Sequence, residues 1–302
     1  MTPTHSADWI LVTGTSTGIG RAATFTLAEN GFRVLAAVRK QADIDSLLAE
    51  AGARLVAGSV EPIVLDVTDA GQIAAAVEIV SAKIVAGGRL HAIVNNAGAQ
   101  QAGPIENMPM TEWRSQFDVL FFGPVALTQQ LLPQLRASGG RVINVTSIGG
   151  IMPGPMIAAY QAAKAALEAV SDSMRMEFAP FGVHVIAIAP GGISTPMLGG
   201  SSDQLNGVAE ALPKNLQPLY ADALRAFAKT VAAAERNSTS PEKASLTILR
   251  AVTAPSPRTR YLIGTDAKLG AFLKRNLPDR WMDALTFCLV GLPRWVKHQE
   301  GE

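Results

Sequence analysis

Ser147, Tyr160 and Lys164 are the side chains whose types and spacing suit chemistry at a substrate oxygen. A helix brings positions i and i+4 to one face, so Tyr160 and Lys164 point into a common site. Ser147 precedes Tyr160 by 13 residues and closes an apolar strand pattern. Upstream, Thr13-Gly14-Thr15-Ser16-Thr17-Gly18-Ile19-Gly20 forms a glycine-rich turn between an apolar run and a helical pattern. Such a turn can hold a dinucleotide pyrophosphate on the free N–H groups of the following helix. Together these features imply hydride and proton exchange between an alcohol and a ketone, with a nicotinamide dinucleotide as hydride partner.

Both features need a scaffold, and the hydrophobic pattern predicts one. Trp9–Val12 reads as a strand ending at the glycine turn, and Ile19–Asn30 as a helix stopped by Gly31. Arg33–Val38 follows as a strand, then a helix through Glu50. Further strands are expected at Ile63–Leu65, Ala92–Val94, Arg141–Val145, His184–Ile188 and Tyr261–Ile263. Helices are expected over Ala70–Ala86, Thr111–Leu135 and Ala158–Phe178. Apolar strands alternating with helices predict an α/β fold, a doubly wound parallel sheet with helices on both faces. The alternation breaks between Ser194 and Ser240: Gly199–Ser202 looks mobile, and Ala209–Ala234 reads as amphipathic helix divided by Pro213 and Pro218. A segment that follows a strand's C-terminal end tends to cover the ligand crevice. Residues 194–240 are therefore expected to form a small helical substrate lid, with a plain surface excursion as the alternative. The chain, 1–302, reads as one domain with a C-terminal extension over 266–302.

Bulk composition excludes several classes. With 48% hydrophobic and 17% charged residues the chain is unlike a disordered one, and a net charge of +1 offers no reason to expect nucleic acid as partner. Cys288 is the single cysteine, which excludes an intrachain disulfide and a cysteine metal cluster. It is expected to be a small buried residue, and its isolation suits a reducing cytoplasm, the expected location. Met1–Asp8 lacks the basic and apolar regions of a secretory signal, and no uninterrupted apolar run is long enough to span a bilayer. His5, His91, His184 and His298 are dispersed, so no metal is expected, and His184 reads as a core histidine.

Cofactor choice rests on the second strand. An acidic residue at its end would bind a ribose 2′-hydroxyl, whereas here Val38 is followed by Arg39 and Lys40. A guanidinium grips a 2′-phosphate in a fork, which favours NADP(H) over NAD(H); a solvated pair opening a helix is the bland alternative. Asp66 suits an adenine amino group or caps the turn into Val67-Thr68-Asp69. Asn95-Asn96-Ala97-Gly98 ends the fourth strand, where amide side chains hold backbone and Gly98 opens room for ribose.

Taken in order from about Trp9 to Gly264, Thr13–Gly20, Asn95–Gly98, Ser147, Tyr160-x-x-x-Lys164 and Pro190-Gly191 resemble the short-chain dehydrogenase/reductase family. Arg39–Asp43 and Ala179-Pro180-Phe181-Gly182 are similar to bacterial relatives of retinol and hydroxysteroid dehydrogenases. The resemblance implies a Rossmann-like fold and hydride transfer between nicotinamide C4 and a carbinol or carbonyl carbon. It makes Tyr160 the general acid in reduction and base in oxidation. A phenol with a pKa of about 10 needs a nearby cation to work at neutral pH, and Lys164 supplies it while holding the nicotinamide ribose. Ser147 orients the substrate oxygen, and Thr195 contacts the carboxamide. The implied cofactor set is Gly14, Thr15, Ser16, Gly18, Ile19, Gly20, Arg39, Asp66, Val67, Asn96, Ala97, Gly98, Tyr160, Lys164, Pro190, Gly191, Ile193 and Thr195. A homodimer or homotetramer through the helices at Thr111–Leu135 and Ala158–Phe178 is implied as well.

Leu120 departs from the family pattern, which places there an asparagine that distorts its helix and holds a water joining the lysine to solvent. Leucine has no donor or acceptor, so slower proton exchange is expected, and a nucleotide-binding regulatory or scaffold protein is the alternative reading. Ile148, Ile151, Met152, Pro153, Met156, Met197 and Leu198 are expected around a hydrophobic alcohol or carbonyl substrate. The extension carries Leu269, Phe272, Leu273, Trp281, Met282, Leu285 and Phe287 among Lys268, Lys274, Arg275, Arg280, Arg294 and Lys297. It is expected to pack on its own core or a sister subunit, with contact to an anionic membrane as the lesser reading.

Overall fold

The computed structural model describes residue 5 and residues 7–54 and 56–290. In chain order the elements begin β1 (Asp8–Thr13), α1 (Gly18–Glu29), β2 (Arg33–Val38), α2 (Gln41–Ala53), β3 (Ser59–Val64), α3 (Ala70–Val85) and β4 (Arg89–Asn95). They continue with α4 (Met110–Phe117), a π-helical turn at Asp118–Phe122, α5 (Gly123–Ser138), β5 (Arg141–Val145), α6 (Ile148–Ile151), α7 (Ala158–Phe178) and β6 (His184–Pro190). The remainder is α8 (Pro196–Gly199), α9 (Ser201–Ala211), α10 (Gln217–Arg236), α11 (Pro241–Thr253), β7 (Arg260–Ile263), α12 (Thr265–Asn276) and α13 (Asp279–Val290).

The strands form one parallel sheet in the order β3-β2-β1-β4-β5-β6-β7. Successive strand side chains point to opposite faces, so each buried strand serves two cores. In β1, Trp9 and Leu11 join the core with Ile73, Leu127, Leu131 and Met174 of α3, α5 and α7. Ile10 and Val12 join Ala23 and Leu27 of α1 and Ala244 and Ile248 of α11 on the other face. Strand order reverses between β1 and β4, which opens a crevice at their C-terminal ends.

Five sequence expectations change. The helix expected at Thr111–Leu135 is two helices joined by the π turn. Gly199 ends α8 and Ser201 and Ser202 begin α9 with Gly200 as the turn between them, and only Pro213 divides α9 from α10, because Pro218 opens α10, where a missing N–H costs nothing. Helices α9 and α10 have their own apolar cluster of Leu205, Ala209, Leu212, Leu216, Leu224 and Ala228. His184 is exposed, because it stands at the first position of β6, outside the sheet core. Cys288 is exposed on the outer side of α13. Arg294, Lys297 and His298 lie outside the described residues.

Candidate active site

The glycine turn is clamped to the end of β4 by one threonine. Thr13 Oγ1 accepts from the backbone N–H groups of Asn96 and Ala97, each at 3.0 Å. In return Asn96 Nδ2 donates to the carbonyls of Thr13 and Gly14 at 2.9 and 3.1 Å. Gly14 has φ +68°, and a Cβ there would stand 2.7 Å from Ala97 Cα, so only glycine allows this approach. Thr15 is buried behind the turn, its hydroxyl donating to the Ala37 carbonyl at 3.0 Å. Asp66 Oδ1 accepts from the backbone N–H and hydroxyl of Thr68 at 2.9 and 2.7 Å. Its carboxylate thus orders the turn after β3 while bordering the crevice.

Ser147 follows the end of β5, where its Oγ accepts from Gly149 N–H at 3.0 Å and caps the short α6. Tyr160 and Lys164 lie on successive turns of α7. Lys164 is 4% exposed, and its Nζ donates to the Val145 carbonyl at 2.7 Å and lies 5.9 Å from the Tyr160 ring centroid. Burial pulls the Lys164 pKa down to about 8, and the Glu168 carboxylate opposes that fall. Burial pushes the Tyr160 phenol up, and the neighbouring Ser147 hydroxyl works in the other direction.

A cavity of about 1010 Å³ runs across these strand ends. Of the residues expected to hold a dinucleotide, Gly14, Ser16, Gly18, Ile19, Arg39, Asp66, Val67, Asn96, Ala97, Gly98, Tyr160, Lys164, Pro190, Gly191, Ile193 and Thr195 border it, as does Ser147. Thr15 and Gly20 stand behind its wall: a Cβ on Gly20 would run into the Gly14 carbonyl and Asn96, so that glycine serves packing of α1 against the turn. Arg39 is exposed at the rim. Of the apolar set, Ile148, Met152, Pro153, Met197 and Leu198 border the cavity, whereas Ile151 does not and Met156 packs against the apolar cluster of α9 and α10.

Several wall residues escape sequence reasoning. Phe227 and Thr230 of α10 and Thr286, Leu289 and Val290 of α13 close the far side. Asp266, at the start of α12, accepts from Gly192 N–H at 2.7 Å and pins the turn after β6. The i, i+4, i+8 spacing of Met282, Thr286 and Val290 was the available signal for an inward face of α13.

These groups, ordered along one crevice, match known proteins. The family model for short chain dehydrogenases matches residues 8–206. The chain belongs to the short-chain dehydrogenase/reductase family. This dehydrogenase/reductase is 31% identical over 284 residues to the NADPH-dependent 3-dehydrocapnine reductase of Ornithobacterium rhinotracheale, covering 92% of this chain and 96% of that protein. It is 34% identical over 301 residues to retinol dehydrogenase 5 of Mus musculus, covering 95% and 90%. The crystal structure of a short chain dehydrogenase from Burkholderia cenocepacia J2315 in complex with NADP superposes with a TM-score of 0.69 at 25% identity, covering 95% and 98%. As a short-chain dehydrogenase/reductase the protein is an oxidoreductase that acts on CH–OH groups with a nicotinamide cofactor.

Within this family member Leu120 sits in the π turn, fully buried, with Cδ2 close to Gly98. The helical distortion expected of an asparagine is therefore present with leucine in its place. A π turn disrupts the regular carbonyl pairing whichever side chain it carries.

Proposed function

We propose that the protein is an NADP(H)-dependent oxidoreductase interconverting a hydrophobic primary or secondary alcohol and its aldehyde or ketone. The observation that carries this reading is the convergence of Ser147, Tyr160 and Lys164 on the cavity that the glycine turn also borders. Gly14 and Gly18, at φ +68° and +60°, let the backbone lie close to a pyrophosphate, and Arg39 at the rim offers a fork to a 2′-phosphate. When bound, the nicotinamide supplies or accepts hydride. Lys164 holds the ribose and biases Tyr160 toward phenolate, Tyr160 passes a proton to or from the substrate oxygen, and Ser147 hydrogen-bonds that oxygen and fixes its direction. Ile148, Met152, Pro153, Leu198, Phe227 and Leu289 give the substrate end apolar walls, which favour a lipophilic ligand.

The reading extends to the whole chain as one domain in the cytoplasm. Assembly is as a homodimer or homotetramer through α4, α5 and α7. Met110, Phe122 and Met176 leave apolar surface exposed along those helices, which supports such an interface. Among the described residues no helix is long and apolar enough to cross a membrane. Titration with NADPH and NADH, then a panel of hydrophobic aldehydes and ketones followed by nicotinamide absorbance, tests the proposal. Tighter binding of NADPH and turnover of the panel are expected. Preference for NADH overturns the cofactor assignment, and binding without turnover favours a regulatory or scaffold role.

A further inference from the structure

Glu168 is a buried carboxylate to which neither the sequence motifs nor the proton transfer assigns a task. It lies one helical turn beyond Lys164 on α7 and is 8% exposed. Burying a carboxylate is costly unless it is paired, and here two elements far away in sequence pair it. Thr146, just after β5, places its hydroxyl 2.5 Å from Oε1. Arg260, the first residue of β7, donates to Oε2 from Nε at 2.8 Å and from Nη2 at 2.6 Å. Arg260 also reaches Asp172 at 3.5 Å, so the arrangement leads from Lys164 toward solvent along one face of α7. Thr146 is flanked by Val145, whose carbonyl holds Lys164, and by Ser147. The carboxylate is therefore fixed to the backbone that presents both reactive neighbours.

We propose that Glu168 is a positioning residue for the reaction: anchored by Arg260 and Thr146, its carboxylate keeps Lys164 in the ammonium form beside Tyr160. The proposal rests on the reading of the site given above. Lys164 has a need for such a group, because it is almost fully buried and the π turn packed across α7 brings apolar Leu120. The other charged or titratable groups on surrounding elements are Tyr160 and Asp172 on α7 itself, and Arg260 and Tyr261 on β7. Across the packed helical segment Arg114 and Asp118 are exposed and Glu112 is half-buried. Arg141 and His184 stand at the opposite ends of β5 and β6. Among these groups Glu168 is the negative charge that supports the Lys164 ammonium.

The test is NADPH affinity, read by nucleotide fluorescence from pH 7 to 10 in the wild type, Glu168→Gln, Glu168→Asp and Arg260→Gln, with thermal melting alongside. Affinity should fall as Lys164 loses its proton. In Glu168→Gln that fall should move about one pH unit lower, the size of effect one nearby charge exerts in a buried site. Glu168→Asp should return it toward the wild-type position. Arg260→Gln leaves the carboxylate uncompensated and should move the fall upward. Opposite displacements from two partners of one ion pair are not produced by loss of packing alone. An unmoved profile in Glu168→Gln, with wild-type binding intact, overturns the proposal and leaves the reading of the site standing. Should Glu168→Gln not fold, Arg260→Gln decides by its sign, and a fixed or lowered profile overturns the proposal. Absence of NADPH binding by the wild type at every pH overturns the reading and the proposal together.

Discussion

Lys164 enters the site against its own solvation: burial draws its pKa from 10.5 to about 8 in the protein without nucleotide. With the folded value below the unfolded one, the unfolded chain holds more protons between about 8 and 10.5, so this group makes stability rise with pH across that window. Lys164→Met should flatten that rise in denaturant titrations performed at pH 8 and 10, and an unchanged pH dependence would contradict it. As the proposed general acid and base, Tyr160 would begin as phenolate for oxidation and as phenol for reduction. Turnover should therefore climb with pH in the first direction and fall in the second, measured with one alcohol–ketone pair. Leu120→Asn should raise turnover severalfold by restoring a polar partner in the π turn, and an unimproved rate removes the idea that Leu120 slows proton exchange. At this scale much is legible from sequence. Tyr160 and Lys164 share a helical face by local geometry, whereas Thr13, Glu168 and Asp266 are silent because their partners are distant in the chain.

Among the elements, the strongest constraint is the contact between the glycine turn and the end of β4. Gly14→Ala combines a positive φ with a Cβ placed 2.7 Å from Ala97 Cα. It should lower stability by about 1–3 kcal/mol and weaken nucleotide binding at least tenfold, readable by melting and NADPH titration. Binding at wild-type strength would show that this turn does not carry the dinucleotide. Most sheet strands are legible as nearly continuous apolar runs, and β2, β5 and α7 coincide with their expected spans, whereas β3 begins at Ser59 rather than Ile63 because Glu61 and Pro62 interrupt its apolar pattern. Chain patterns did not reveal the π turn, since Asp118–Phe122 keeps helical periodicity while its backbone pairing changes. Helices α8 and α9 also blur in sequence, as Gly199–Ser202 has loop composition yet all but Gly200 is drawn into helix, with α9 and α10 sharing an apolar cluster of their own.

Over the whole molecule, the cavity is completed by α13, the last described helix, rather than by the sheet alone. Thr286, Leu289 and Val290 of α13 line it beside Phe227 and Thr230 of α10, and the Leu289 carbonyl accepts from the Thr230 hydroxyl at 3.3 Å. A chain ending at Pro278 should retain nucleotide affinity while KM for hydrophobic substrates rises, because the residues proposed to hold the dinucleotide lie on other elements. Lost nucleotide binding in that variant would make α13 part of the scaffold instead. The central claim concerns proton transfer by Tyr160, and the most direct measurement is single-turnover reduction of a hydrophobic ketone by bound NADPH in the wild type and Tyr160→Phe. The account expects both proteins to bind NADPH alike and the variant to lose at least two orders of magnitude in rate, about what positioned acid–base catalysis supplies. Equal rates in the two proteins would contradict it.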